Sequence, residues 1–119
     1  MSFDLGDTIE FEWRPQRPVT VDRRMLEAVR GLRSVAIDRA SRRQKITYGE
    51  AAVAIDGLYS PQGFGRALDL LSWDCERRGE PSLACLFVRQ SDGEVGSGFG
   101  GTLEEAEACC TECFNRWAR

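Results

Sequence analysis

The sequence predicts a single small α+β domain. Its 119 residues are enough for one hydrophobic core, since independently folding units most often have roughly 100 to 150 residues. Apolar residues make up 42% of the chain and charged residues 29%, which is typical of globular proteins. Apolar side chains repeat with a period of two in some segments and at spacings of three and four in others, so we expect strands as well as helices.

A first strand is predicted near the N-terminus. Ile9, Phe11 and Trp13 alternate with acidic residues, which is the period of a strand buried on one face. Pro15 and Pro18 should end this strand, because proline has no N–H group to donate to a sheet. A proline-rich connector is therefore expected to follow it.

The first helix is expected between residues 21 and 40. Apolar residues recur there at three- and four-residue spacing, as on the buried face of a helix. Thr20 stands where its hydroxyl can cap the first turn. Alternatively, Gly31 divides this stretch into two helices, because glycine weakens a helix interior.

Two further helix starts are visible in the middle of the chain. Thr47 and Glu50 have the spacing of a capping box, in which each side chain binds the backbone N–H of the other residue. A short helix should run from there to about Ile55. Ser60 and Pro61 combine a capping hydroxyl with a proline at the first helical position, so a third helix should begin there.

A hairpin and a last helix are predicted in the remaining part of the chain. Residues 83–88 form a dense apolar run of a length suited to a strand buried on both faces. Asp92 and Gly93 favour a tight turn, with a second strand after it. Thr102 and Glu105 form a second capping box, which opens the C-terminal helix.

Two helices joined by a short turn and followed by a hairpin are the outline of a winged helix, whose second helix usually reads DNA. We therefore predict a winged-helix-like core over residues 20–99 and a reader helix at 61–78. An extra N-terminal strand and connector at 1–18 precede the core, and a C-terminal helix at 102–118 follows it. All of these parts should belong to one domain.

Short motifs in the same region resemble a known type of module. Residues 46–50 read Ile-Thr-Tyr-Gly-Glu, and residues 96–99 read Gly-Ser-Gly-Phe. This pattern resembles an uncharacterised bacterial and phage domain of winged-helix type seen around restriction and phage-defence systems. It is also distantly similar to the DNA-binding domain of alkyltransferase-like proteins, which share Thr-Tyr-Gly and the Gly-x-Ala-Leu found here at 65–68. The resemblance implies a module that contacts nucleic acid or an enzyme that processes it.

Catalysis is not expected. The chain contains no histidine, which removes the commonest general base and every catalytic triad that needs an imidazole. In the alkyltransferase resemblance the catalytic Pro-Cys-His-Arg falls on residues 84–87, where only Cys85 is kept. Without a basic neighbour, Cys85 should be a poor nucleophile. Asp69 and Asp74 are expected to be solvated on the third helix, so we predict a non-enzymatic protein without a cofactor.

The cysteines are predicted to be core residues and not metal ligands. Cys110 and Cys113 supply the Cys-x-x-Cys spacing of half a zinc site, with Cys109 beside them. Their placement on the apolar face of the last helix favours packing as small hydrophobic side chains. A metal site that also draws on Cys75 or Cys85 is the alternative.

The location predicted from the sequence is cytoplasmic, with no membrane contact. An odd number of cysteines, five, is unlike a secreted disulfide scaffold. The first ten residues carry acids where a signal peptide carries basic residues.

The charge pattern leaves two kinds of partner open. The net charge is −3, yet ten basic residues and three acidic residues lie between positions 14 and 45. Basic side chains on one face bind phosphates, and the candidate nucleic-acid contacts are Arg39, Arg42, Arg43, Lys45, Gln62 and Arg66. In the alternative, the protein is an inhibitor of the immunity or anti-defence type that binds a basic protein surface, and the candidate contacts are Glu104, Glu105, Glu107 and Glu112.

Overall fold

The computed structural model describes residues 2–59, 64–93, 95 and 101–118. In chain order its elements are β1 (Thr8–Phe11), β2 (Arg14–Thr20), α1 (Arg23–Ser41), β3 (Ile46–Thr47), α2 (Tyr48–Ala54), α3 (Phe64–Arg77), a 3₁₀ turn (Leu83–Leu86), β4 (Phe87–Val88) and α4 (Leu103–Trp117). The helices pack against one another and against the 3₁₀ turn, and the strands form two separate two-stranded sheets. The predicted α+β class is confirmed.

The N-terminal region is a hairpin and not a strand with a connector. Strand β1 is present as predicted and pairs antiparallel with β2, with Ile9 opposite Val19. The prediction that Pro15 and Pro18 end the strand structure is wrong, because both lie within β2. Strand β2 is an edge strand of a two-stranded sheet, where a missing N–H group is tolerated.

Helix α1 is the central element of the fold. It contacts α2, α3, α4 and the 3₁₀ turn, and it runs through Gly31 without interruption. Its N-cap is Asp22, whose carboxylate accepts a hydrogen bond from the Met25 amide at 2.7 Å. The predicted cap, Thr20, is wrong because that residue still belongs to β2.

Gly31 is required by the packing of α1 against Ile55. We expect Gly31→Ala to lower the free energy of unfolding by about 1 kcal/mol, since overpacking costs about 1 to 3 kcal/mol and alanine gains about 1 kcal/mol over glycine in a helix. A Cβ atom at this position would lie 2.8 Å from the Cγ2 methyl group of buried Ile55. Chemical denaturation measures the difference.

The control for this substitution is Gly65→Ala, near the start of α3, where a Cβ atom would meet nothing within 4 Å. It should leave the free energy of unfolding unchanged or raise it. Equal stabilisation by both substitutions would show that the side chain of Ile55 moves aside without cost.

A small sheet lies beside α2. Strands β3 and β4 are parallel, with Ile46 opposite Phe87, and Val88 forms an antiparallel bridge with Val95. The turn between them contains Gly93 at φ 70°, a left-handed conformation that favours glycine. Residues 96–99, the rest of the predicted second strand, lie outside the described residues, and the winged-helix assignment stays a prediction.

The apolar run at residues 83–88 is buried throughout, as predicted, but it is not one strand. Its first four residues form a 3₁₀ turn, and only Phe87 and Val88 are extended. Helices α1, α3 and α4 all contact the turn, so its side chains find apolar partners in several directions. An all-apolar run cannot distinguish this arrangement from a buried strand.

The two predicted capping boxes are confirmed. Thr47 and Glu50 cap α2, and Thr102 and Glu105 cap α4, with both reciprocal hydrogen bonds present in each case. On α4 the buried face is formed by Ala106, Cys110 and Cys113. Leu103, the first residue of α4, is 52% exposed.

The prediction that Asp69 and Asp74 are solvated is wrong. Both carboxylates are buried on α3, because the N-terminal segment and the β1–β2 hairpin fold over this helix. The Ser2 amide donates to Asp74 at 2.7 Å, and Trp13 Nε1 donates to Asp69 at 3.1 Å. These contacts span 72 and 56 positions, so helical periodicity alone could not reveal them.

Across the described ranges, no helix combines the length and the apolar character needed to cross a membrane.

Candidate functional site

The basic residues predicted as one face lie at opposite ends of α1. Arg39, Arg42 and Arg43 belong to its C-terminal end. Arg66 instead acts electrostatically on Tyr59, as does Arg24 from the N-terminal end of α1. Arg24 and the C-cap Arg42 are eighteen positions apart along α1, or about 27 Å at 1.5 Å per residue. The predicted set therefore does not form one compact surface.

At the C-terminal end of α1, several basic side chains form hydrogen bonds and ion pairs within the protein. Arg39 donates to the Lys45 carbonyl oxygen at 2.9 Å and pairs with Glu50 at 3.0 Å. Lys45 pairs with Glu107 of α4. Arg42 pairs with Asp38 at 3.5 Å on the exposed surface. These contacts reduce the positive charge available to a ligand.

The pKa shifts at this end of α1 follow from the same contacts. A hydrogen bond from the Thr47 backbone, followed by the hydrogen bond from Arg39, lowers the pKa of Glu50 to about 2. The hydrogen bond to Glu107 raises the pKa of Lys45, against the opposing effect of burial. Both groups are therefore charged near neutral pH.

At the other end of α1, two arginines surround one aromatic ring. The Arg24 guanidinium lies 4.2 Å from the centroid of the Tyr59 ring, and its Nε donates to the Leu58 carbonyl oxygen at 2.6 Å. Arg66, in the first turn of α3, is exposed. No ion pair within the described parts of the chain involves Arg24 or Arg66. We call Arg24, Tyr59 and Arg66 the Tyr59 surface.

Tyr59 is half-buried at this surface. Burial, together with the nearby charge of Asp22, raises the pKa of Tyr59, and the positive charges of Arg24 and Arg66 act in the opposite direction. Asp22 is already engaged as the cap of α1. The phenol is therefore neutral at physiological pH and offers both a hydroxyl and an aromatic face.

Sequence reasoning identified Arg66 and missed Arg24 and Tyr59. Arg24 contacts residues more than thirty positions away, and no local motif signals such a contact. Arg43 is exposed and has a positive φ of 56° after the end of α1. Gln62, another predicted contact, lies outside the described residues.

The predicted reader helix is covered along its middle. The N-terminal region contacts α3 through Phe3 with Trp73, through Trp13 and Arg14 with Asp69, and through Ser2 with Asp74. Exposed charge on α3 is therefore found at its two ends, with Arg66 in the first turn and Glu76 and Arg77 in the last turn. A major groove could not be read along the whole length of this helix.

The acidic residues predicted on α4 are all exposed, but they differ in what they contact. Glu107 pairs with Lys45, and Glu105 accepts a hydrogen bond from the Thr102 amide. Glu104 and Glu112 form no ion pair with any other residue that the structure describes. Glu105 also lines an open cleft of about 370 Å³ together with Trp13 and Glu76.

Four thiols converge between α4 and the 3₁₀ turn. The Sγ atoms of Cys85, Cys109 and Cys113 all lie within 4.8 Å of one another, with 3.9 Å between those of Cys85 and Cys113. Cys110 is next to this group and donates to the Cys85 carbonyl oxygen at 3.3 Å. All five cysteines are free thiols, and Cys75 lies apart, beside Arg33.

The burial predicted for Cys110 and Cys113 is confirmed, at 2% and 0% exposure. Of the two alternatives raised from the sequence, Cys85 joins the C-terminal cysteines and Cys75 does not. Hydrogen bonding to Cys113 and Cys85 lowers the pKa of Cys109, while hydrogen bonding to Cys109 and the other thiols raises the pKa of Cys85. Each of these thiols therefore alters the acidity of its neighbours.

Comparison of the chain with protein-family models, with curated proteins and with solved structures gives no match.

Proposed function

We propose that this protein is a non-enzymatic module that binds nucleic acid through the Tyr59 surface. The observation that carries the proposal is the stacking of Arg24 on Tyr59 with Arg66 nearby. Arginine binds phosphate through a rigid set of N–H donors, and an aromatic ring beside it can stack on an unpaired base. The two arginines have no carboxylate partner among the described residues, so their charge is available.

Single-stranded RNA or DNA is the ligand that this surface suits best. The Tyr59 surface is small, and stacking of a base on tyrosine or on a guanidinium plane requires an unpaired base. The covered middle of α3 argues against reading a duplex groove. Two phosphate contacts and a net charge of −3 favour weak binding with a modest dependence on salt, a slope of about −1.4 for two phosphates of a single strand.

The biological context and the alternative type of partner are inferred from the sequence. A bacterial or phage defence context is implied by the resemblance of residues 46–99 to the winged-helix type of domain, and a cytoplasmic location stays a prediction. The competing hypothesis is a protein inhibitor that uses exposed acids such as Glu104 and Glu112. That hypothesis requires a basic protein partner and predicts no binding to oligonucleotides.

Fluorescence anisotropy with a labelled single-stranded oligonucleotide, measured across a salt series, tests the proposal. We expect Arg66→Gln and Arg24→Gln each to weaken binding, and each to reduce the dependence of log K on log salt by about 0.7, the value for one phosphate of a single strand. Duplex DNA of the same sequence should bind more weakly than the single strand.

The matched control is Arg43→Gln, which removes the same charge from the far end of α1. Equal weakening by Arg43→Gln and Arg66→Gln would refute the Tyr59 surface as the site. Absence of binding at low salt would refute nucleic-acid binding altogether and would leave the acidic surface as the hypothesis to test.

A further inference from the structure

We propose that Cys85, Cys109 and Cys113 bind one zinc ion. Two of these residues are one helical turn apart on α4, and the third is brought to them by the 3₁₀ turn. The three sulfur atoms already lie within 4.8 Å of one another. The proposal concerns a different part of the protein from the Tyr59 surface and does not depend on nucleic-acid binding.

The sulfur geometry is close to that of a tetrahedral site. Zinc–sulfur bonds of 2.3 Å at tetrahedral angles place neighbouring sulfur atoms about 3.8 Å apart. The Cys85 and Cys113 sulfur atoms are 3.9 Å apart, and the largest separation in the set is at most 4.8 Å. Metal binding therefore requires sulfur movements of about 1 Å or less, which side-chain rotation can supply.

The chemistry of the three cysteine sulfur atoms determines which kind of metal they favour. Three thiolates are soft ligands, which favour zinc over magnesium or calcium. Zinc with three thiolates carries a net charge of −1, and Lys45 lies close enough to act electrostatically on Cys85 and Cys110. The ammonium group of Lys45, which also pairs with Glu107, would offset part of this charge, which matters because an unpaired charge is costly at a buried site.

A cavity beside the three cysteines gives a metal ion access to them, and a fourth ligand is also available. A cavity of about 110 Å³ adjoins Cys85, and Lys45 and Glu107 form part of its lining. This volume exceeds that of a water molecule, about 30 Å³ in the liquid, so a water molecule can complete a tetrahedral site. Cys110, which contacts the Cys85 backbone, is the second source of a fourth ligand.

Binding requires the thiols to lose their protons. The Cys109 and Cys113 thiols donate to the Ser82 carbonyl oxygen at 3.1 and 3.5 Å, and coordination would replace these hydrogen bonds with metal–sulfur bonds. Each coordinating thiolate releases one proton to solvent, so the affinity for zinc should rise with pH.

Cobalt substitution tests the coordination directly. The purified protein, treated with a chelator and kept reduced, is titrated with Co²⁺ and then with Zn²⁺. We expect one equivalent of Co²⁺ to give thiolate-to-cobalt charge-transfer absorption in the near ultraviolet and the visible bands of tetrahedral cobalt, and we expect zinc to displace it. Zinc should also raise the thermal unfolding midpoint.

Matched serine variants identify the ligands. Cys109→Ser is the main variant, because Cys109 is only half-buried and a serine hydroxyl can still donate to Ser82. It should weaken zinc binding by more than about tenfold, since loss of outer-shell partners alone costs 10 to 100-fold. The control, Cys75→Ser, alters a buried cysteine outside the set and should bind zinc as the wild type does.

Two results would overturn the proposal. One is a Co²⁺ spectrum of the wild-type protein without thiolate charge-transfer absorption. The other is loss of binding in Cys75→Ser to the same extent as in Cys109→Ser, with both variants folded by circular dichroism. Either result would leave the three cysteines as core residues.

Discussion

Replacing Asp74 by asparagine is expected to lower the free energy of unfolding by about 2 kcal/mol at neutral pH, because the buried carboxylate loses its charge-assisted hydrogen bonds from Ser2 and Arg78, and a hydrogen bond to a charged group contributes about 1.5 to 3 kcal/mol. The Asp74 carboxylate is fully buried. It accepts a hydrogen bond from the Ser2 amide and pairs with Arg78 at 3.0 Å. Arg33 lies 3.9 Å away. Chemical denaturation of the wild type and the variant measures the difference.

The pH dependence of this effect has a definite sign. Burial alone would raise the pKa of Asp74, but the hydrogen bonds from Ser2 and the charges of Arg78 and Arg33 outweigh it, and the pKa is lowered. A carboxylate with a lowered pKa stabilises the fold above its unfolded-state pKa of about 3.9. This contribution is lost as the pH falls through the lower pKa of the folded state. The difference between Asp74→Asn and the wild type should therefore shrink in acid.

Asp69→Asn is the matched control, because it makes the same change on the same helix. Burial raises the pKa of Asp69, despite hydrogen bonds and charges from Trp13 and Arg14 that lower it. Ionisation of Asp69 is thus less favoured in the folded state than in the unfolded state. The asparagine side chain can still accept from Trp13 and loses the ion pair with the partly exposed Arg14 at 3.1 Å. We expect a loss below about 1 kcal/mol, in the range of typical single substitutions. Equal losses for both variants would contradict the roles assigned to the two carboxylates.

Replacing Phe11 by alanine is expected to cost about 3 to 5 kcal/mol, the usual range for a fully buried phenylalanine. The Phe11 side chain is 1% exposed, and its ring stacks on that of Trp13 with centroids 5.1 Å apart. Strand β1 also contacts α3. The loss would show that the N-terminal hairpin is part of the core.

Leu5→Ala provides the comparison within the same region. Leu5 is 54% exposed, so its removal should change the free energy of unfolding by less than about 0.5 kcal/mol. Urea denaturation, with an unchanged dependence on denaturant concentration, would confirm that only stability is altered. A Phe11→Ala variant as stable as Leu5→Ala would mean that the hairpin does not stabilise the helical part of the protein.

The sequence predicted helices because capping boxes and apolar spacing involve residues that are close together in the chain. The capping boxes at Thr47 and Thr102 use side chains and amide groups within three positions. The apolar spacing of α1 likewise identified its buried face. Burial of the run at residues 83–88 was predictable from composition, since apolar side chains leave water wherever the chain can cover them.

Tertiary contacts determined which side chains are buried and which residues distant in the chain lie together. The sequence predicts solvated aspartates at positions 69 and 74, and they are buried because the N-terminal segment and the β1–β2 hairpin fold over α3. The stacking of Arg24 on Tyr59 and the approach of Cys85 to Cys109 and Cys113 join segments distant in the chain. Periodicity reports which face of an element is apolar, and it carries no information about which distant element covers that face. The sequence therefore determined the class of fold and most of the helical elements, whereas packing determined the strand β2, the 3₁₀ turn and the places where charges and thiols meet.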